Sequence, residues 1–479
     1  MASRFGARVA ELQQPQARLG PLEIEGDFAR AFFESVLRLL PLDTRLRARE
    51  VCRGWRFFLK DVCFWTHVDL SANCSVNPRL LLDSRLGLSL LRAACVRAKG
   101  SLLSVDLSGV EEEWEDRVQD EWEDEPVPLV LQWLDSASAA NKASLRDLVA
   151  PHMRLIVDHV TALCRALPLC RVRCGLECYT VEALPLLRRE PPFALLTINA
   201  LVAVEHNDEG AQPVLDLASA LMGYFGMEKL IMCAPLTTLA VLDALVDAAI
   251  SAGIKDAAFQ TCGLSQASLP ALGRLIQSPG FERLEVIEGL SALFEGPALP
   301  AFCEALRNST TLKKLKLMGV NLWEDMASAS ELIAALEGLP ALHELELLAN
   351  FEVGPSTVQR AAGECLARLI ARSTSLRALC LGDNHLDEDG MTPIFQALSG
   401  SLTLVELILY GSMAVNQNFA RDVVLPAVRT NTSLRELDGL RWLDAQGIEW
   451  GMKEEDPPPA MEEVEDILKA RVLADEEAA

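Results

Sequence analysis

The residues of this chain that could do chemistry point to recognition rather than catalysis. Six histidines (His67, His152, His159, His206, His343 and His385) are scattered, and neither His343 nor His385 has a nucleophile beside it in sequence. No G-x-x-x-x-G-K or G-x-G-x-x-G loop occurs to cradle phosphates, and no H-E-x-x-H or G-x-S-x-G to cut a bond. Cys170, Cys174 and Cys178 stand four apart, which is not the paired Cys-x2-Cys grammar of a zinc site, and no His follows within reach. Buried or half-buried free thiols are the expectation there, with no metal, no cofactor and no enzyme activity. A different pattern recurs at alternate positions: Arg283, Glu285 and Ile287, then Lys314, Lys316 and Met318, then Glu344, Glu346 and Leu348. Two charged residues followed by an apolar one, three times over, suit a surface that takes an apolar anchor inside a charged rim.

For those nine side chains to share a surface, the segments that carry them must be strands lying side by side. The flanking sequence supports this. Leu312–Leu317 is LKKLKL, Leu342–Leu347 is LHELEL, Leu376–Leu381 is LRALCL and Leu404–Leu409 is LVELIL. Successive strand residues alternate faces, so positions 4 and 6 of each copy point inward with position 1 completing the layer, and positions 3, 5 and 7 point out. Looser copies are anchored at Leu102, Leu145, Leu169, Phe193, Met227, Ile254, Phe281 and Leu434, which makes twelve candidate strands. Most starts lie 24 to 34 residues apart, room for one short strand and one helix. Helical spacing of apolar residues is visible in between, as in Leu299–Asn308, Ser330–Glu337 and Thr357–Arg372. The register then sets Glu285, Lys316 and Glu346 in one row, Lys314 between Arg283 and Glu344 in the next, and Ile287, Met318 and Leu348 in a third. Two copies extend to a residue that can satisfy the turn leaving the strand, Asn384 and Cys262.

These segments resemble leucine-rich repeats of the ribonuclease-inhibitor type, whose units run to about 28 residues. The resemblance covers roughly residues 100–440 and is strongest over the last five strands. It implies an α/β solenoid, a horseshoe with parallel strands on the concave face and helices outside. One repeat cannot bury its face alone, so the units must stack into a continuous sheet.

The composition fits a globular chain: 479 residues, 50% hydrophobic and 23% charged. A net charge of −24 argues against a general nucleic-acid surface and against anionic membranes. Residues 111–125 hold ten acids against one Arg, and residues 453–479 hold ten acids against three bases. Both are expected as solvated and flexible runs, the first an insertion looping out of a repeat. Thirteen cysteines without an N-terminal apolar leader suggest the cytoplasm or the nucleus.

Residues 27–70 form a separate pattern. Phe28, Phe32, Phe33, Val36, Leu37 and Leu40 space one amphipathic helix, and Pro41 and Asp43 end it and start the next. Then come Val51-Cys52-x-x-Trp55 and, ten residues on, Trp65. Here the chain resembles the F-box, a compact helical module of about 45 residues that docks onto the small adaptor of a Skp–cullin–F-box ubiquitin ligase. The resemblance implies that Phe33, Val36, Leu37, Leu40, Pro41, Val51, Cys52 and Trp55 supply core and adaptor-facing surface. The family usually opens its first helix with Leu-Pro-x-Glu, and Phe28, Ala29 and Ala31 stand at those positions instead. Arg45, Arg47, Arg49, Arg53, Arg56 and Lys60 beside Trp55 are expected to be a solvated helix face.

The organisation expected is a flexible N-terminus over 1–20 and an F-box-like module over 21–70. A solenoid over 71–451 carries the insertion 111–125, and an acidic tail over 452–479 ends the chain. The F-box resemblance implies a substrate receptor, with a Skp-type adaptor and through it a cullin as partners. The repeats would hold an unidentified target on Glu285, Ile287, Lys314, Lys316, Met318, Glu344, Glu346 and Leu348. A second reading stays open. Ran-GTPase-activating proteins are similar in joining such repeats to an acidic tail, so a GTPase activator or a scaffold remains, with the N-terminal helices only capping the solenoid.

Overall fold

In each repeat, the residues at positions 4 and 6 of L-x-x-L-x-L cannot stay in water, and their burial builds the sheet. Leu284, Val286, Leu315, Leu317, Leu345 and Leu347 are all buried, while the residues between them are partly or fully open. The computed structural model describes residues 67–69, 92, 95–107, 129–189, 193, 195–204, 211–233, 235–236, 238–289, 291, 293–350, 356–441 and 458–478. Within them, thirteen strands run in sequence order and pair in parallel into one open sheet. They are β1 (His67–Asp69), β2 (Ser104–Asp106), β3 (Asp147–Leu155), β4 (Arg171–Tyr179), β5 (Leu196–Val204), β6 (Lys229–Cys233), β7 (Asp256–Gln260), β8 (Arg283–Ile287), β9 (Lys314–Met318), β10 (Glu344–Leu348), β11 (Ala378–Cys380), β12 (Glu406–Ile408) and β13 (Glu436–Asp438). Helices cross between the strands, and from Thr180 onward each packs against the helix of the next repeat. The result is the α/β solenoid expected from the repeats.

All twelve expected strands are present, and β1 is an addition. It lies within the residues 21–70 assigned to the N-terminal module, so among the described residues the sheet begins at His67. The signal was there: Trp65-x-x-Val68-x-Leu70 has the repeat spacing with Trp in the first place, and Val68 is buried. Where the leucine spacing is loosest, the strands are longest. β3, β4 and β5 run nine residues each, and their register slips between Ala150 and Arg154 and between Cys174 and Gly175.

The turns leaving the strands are held by buried polar side chains. The Asn384 amide nitrogen donates to the carbonyls of Leu347 at 2.5 Å and Leu381 at 2.8 Å, and its oxygen accepts from the Asn350 backbone N–H at 3.1 Å. Asn350 does the same one repeat earlier, donating to the Leu317 carbonyl at 2.8 Å and accepting from the Val320 N–H at 2.9 Å. It stands at the same offset as Asn384 in Leu342-x-x-Leu345-x-Leu347-x-x-Asn350 and was missed. The Cys262 thiol reaches the Met232 carbonyl at 3.3 Å. Around it the Glu288 carboxylate accepts from the N–H groups of Cys262, Gly263 and Leu264, each at 3.1 Å. Burial raises the Glu288 pKa in spite of those three donors.

The acidic C-terminus corrects the expectation of a solvated, flexible run. Pro459–Ala478 is a helix that packs on the helical stretch of the last repeat, with Met461, Val464 and Leu468 buried. Its charges are not idle: Glu463 meets Arg429 at 2.5 Å and Asp475 meets Arg435 at 2.6 Å. The Arg471 guanidinium donates to the Val428 carbonyl at 2.7 Å and to those of Leu434 and Asn431. The exposed end of a solenoid core needs a cover, and the apolar spacing Met461, Val464, Leu468 supplies one. Residues 111–125 lie outside the described residues.

Candidate target-binding face

Two neighbouring helices approach so closely that only glycine fits: a Cβ on Gly363 would stand 2.0 Å from the Gly390 carbonyl oxygen. Packing of this kind fixes the helical side of the sheet, and the opposite side is left to the outward positions of the strands.

The pairing of β8, β9 and β10 puts the expected residues in register. Arg283, Lys314 and Glu344 form one row, Glu285, Lys316 and Glu346 the second, and Ile287, Met318 and Leu348 the third. The ion pairs across these rows are uneven. Lys314 Nζ lies 2.6 Å from Glu344 and 2.5 Å from Glu346, and Lys316 Nζ lies 3.5 Å from Glu346. Glu285, though beside Lys316, makes no ion pair with it. Burial pulls the Lys314 pKa down, but the two carboxylates outweigh it and leave it above the ordinary lysine value. Burial likewise raises the Glu346 carboxyl, and Lys314 and Lys316 more than offset that, so its pKa is lowered.

The same face continues beyond the residues anticipated. Toward the N-terminus, Val202, Ile231 and Ala258 form a small apolar cluster with Val204 and Cys233. Toward the C-terminus the rows run on through Ala378, Glu406 and Glu436, and through Cys380, Ile408 and Asp438. The Tyr410 ring occupies the space where a side chain on Gly382 would fall, with a Cβ there 2.1 Å from the ring. Positions 3, 5 and 7 of the Leu376, Leu404 and Leu434 copies carried the signal for these residues.

The cysteines that raised the metal question are buried free thiols. Burial holds Cys170, Cys174 and Cys178 up to about 12. Among the described residues no group of three or more His, Cys, Asp or Glu is placed to hold a metal, and no helix is long and apolar enough to cross a membrane. Phe33, Val36, Leu37, Leu40, Pro41, Val51, Cys52 and Trp55 lie outside the described residues.

The F-box domain family matches residues 33–67. No curated protein matches the chain. Among solved structures, the tropomodulin C-terminal domain of Caenorhabditis elegans is 18% identical, with a TM-score of 0.30, and covers 38% of this chain and 99% of its own. The leucine-rich-repeat protein LegL7 of Legionella pneumophila is 12% identical, with a TM-score of 0.38, over 72% of this chain and 96% of its own. The Rad7 and Elc1 complex of yeast is 14% identical, with a TM-score of 0.36, over 64% and 82%. None of the three likenesses bears on function. With the F-box match ahead of a sheet that repeats the leucine spacing strand after strand, the chain is an F-box protein with leucine-rich repeats.

Proposed function

We propose that the protein is the substrate-receptor subunit of a Skp–cullin–F-box type ubiquitin ligase, working in the cytoplasm or nucleus. Residues 33–67 dock a Skp-type adaptor and through it a cullin, and the open face of the solenoid holds a target protein. The observation that carries this reading is the F-box match set directly before a solenoid with an unpartnered sheet face. The subunit does no bond chemistry of its own. It raises the effective concentration of target lysines near the ubiquitin donor.

The test is co-purification of the full chain with a Skp-type adaptor. Trp55→Ala with Leu40→Ala is expected to abolish the interaction, since truncating large residues in so small a module removes about 2–5 kcal/mol each. The solenoid should keep its thermal transition. Undiminished adaptor binding by the double variant would overturn the reading and favour helices that only cap the solenoid.

A further inference from the structure

The open face changes character from β8 to β13. On β9 and β10, cations and carboxylates neutralise one another through Lys314, Lys316, Glu344 and Glu346. On β11 to β13 the outward positions of the strands carry no cation at all: Ala378 and Cys380, then Glu406 and Ile408, then Glu436 and Asp438. Arg435, the adjoining base in sequence, is taken by Asp475 at 2.6 Å in the C-terminal helix. Burial raises the Glu406 pKa, and repulsion from Glu436, Glu344 and Glu346 adds to it. Lys314, one of whose carboxylate partners is the opposing Glu344, offsets only part of this load.

Apolar and aromatic surface lies in the same place. Ile408 is half-buried between Cys380 and Asp438 in its row. Tyr410, two residues beyond the end of β12, is 36% exposed and leans over Gly382. Burial pushes its hydroxyl up to about 12, with Cys380, Asp383 and Glu346 contributing in turn. An aromatic ring ringed by carboxylates is a good seat for a cation, which gains from both the ring face and the charges. An acidic segment would meet repulsion there, from the face and from a chain of net charge −24.

We propose that the open face of β10–β13 binds a basic segment of a partner protein, with a lysine or arginine among Glu406, Glu436 and Asp438 and neighbouring apolar atoms packed on Ile408 and Tyr410. This deepens the target-binding reading, and it rests on that reading only in taking the occupant to be a target. The C-terminal end of the face selects for charge, and the half-buried Ile287 and Met318, in the row that ends on the buried Leu348, offer a continuing apolar track for the same extended chain.

The experiment uses the full chain and a fluorescent probe peptide of alternating arginine and leucine, with its glutamate–leucine counterpart, followed by anisotropy at physiological salt. The arginine peptide should bind and the glutamate peptide should not. Glu406→Gln with Glu436→Gln and Asp438→Asn should weaken binding by about tenfold, the loss expected for three exposed pairs of modest worth each. Asp135→Asn with Glu304→Gln and Glu364→Gln, an equal charge change on exposed helix positions, should alter it by less than about twofold. Tyr410→Leu should weaken it by several-fold. Equal losses in both triple variants, or no binding of the arginine peptide, would overturn the proposal. Should the open-face triple fail to fold, the exposed single variant Glu436→Gln decides, with a loss of about twofold expected and none sinking the idea. Adaptor binding is measured separately on the same preparations, so its loss would count against the ligase reading and leave this one standing.

Discussion

Lys314 on β9 places its ammonium 2.5 Å from the carboxylate of Glu346 on β10, which is the diagonal neighbour; the residue directly opposite Lys314 is Glu344, at 2.6 Å. One lysine thus ties two rows of the open face together, and Lys316 adds a weaker contact to the same Glu346 at 3.5 Å.

Lys314→Met should therefore cost stability, by about 1–3 kcal/mol, because two partly buried carboxylates lose their main counter-charge. The pH dependence follows from the direction of each shift. Glu346 has a lowered pKa in the folded state, so its stabilisation is present above the unfolded carboxylate range and is lost as pH falls through the folded value. Lys314 has a raised pKa, so its share is lost only in strong alkali. The difference between wild type and variant in denaturant melts should be flat from neutral to mildly alkaline pH and shrink below about pH 4. A difference that holds unchanged into strong acid would contradict the pairing.

Asn384→Ala should destabilise the repeats by about 2–4 kcal/mol, since it strands the buried Leu347 and Leu381 carbonyls and the Asn350 N–H at once. Urea unfolding measures it. A change within about 0.5 kcal/mol would mean that water replaces the amide without loss.

Gly363→Ala separates propensity from packing. In a free helix alanine is better than glycine by about 1 kcal/mol. Here the new Cβ would stand 2.0 Å from the Gly390 carbonyl oxygen, so the helices Ser356–Arg372 and Glu388–Leu398 must part. A net loss of about 1–3 kcal/mol is expected by thermal melting, and a gain would refute the close approach.

Arg471→Ala should loosen the C-terminal helix. Burial and the nearby Arg435 lower the Arg471 pKa, the mark of a desolvated guanidinium, and the Val428, Leu434 and Asn431 carbonyls satisfy it. Losing those bonds should cost about 1.5–3 kcal/mol and speed hydrogen exchange across residues 459–478 while β8–β10 stay protected. Unchanged exchange there would show that Met461, Val464 and Leu468 hold the helix by themselves.

The strand frames were legible in the sequence because their rule is local. A period of two with leucine at positions 1, 4 and 6 settles which side chains enter the core and which rows the others join, and Glu285, Lys316 and Glu346 stand in register accordingly. Solvation was harder to read. The charge density of residues 453–479 masked the apolar spacing of Met461, Val464 and Leu468, whose docking depends on an exposed solenoid end far earlier in the chain. Tertiary structure alone decided that Lys314 turns to Glu346 and that Lys316 leaves Glu285 unpaired. It also decided that Tyr410 leans across Gly382, and that β3–β5 lengthen and slip register. For the side chains the physical reason is common. Register fixes where each Cα stands, but a long side chain picks its rotamer and partner from neighbours in the next repeat, about thirty positions away.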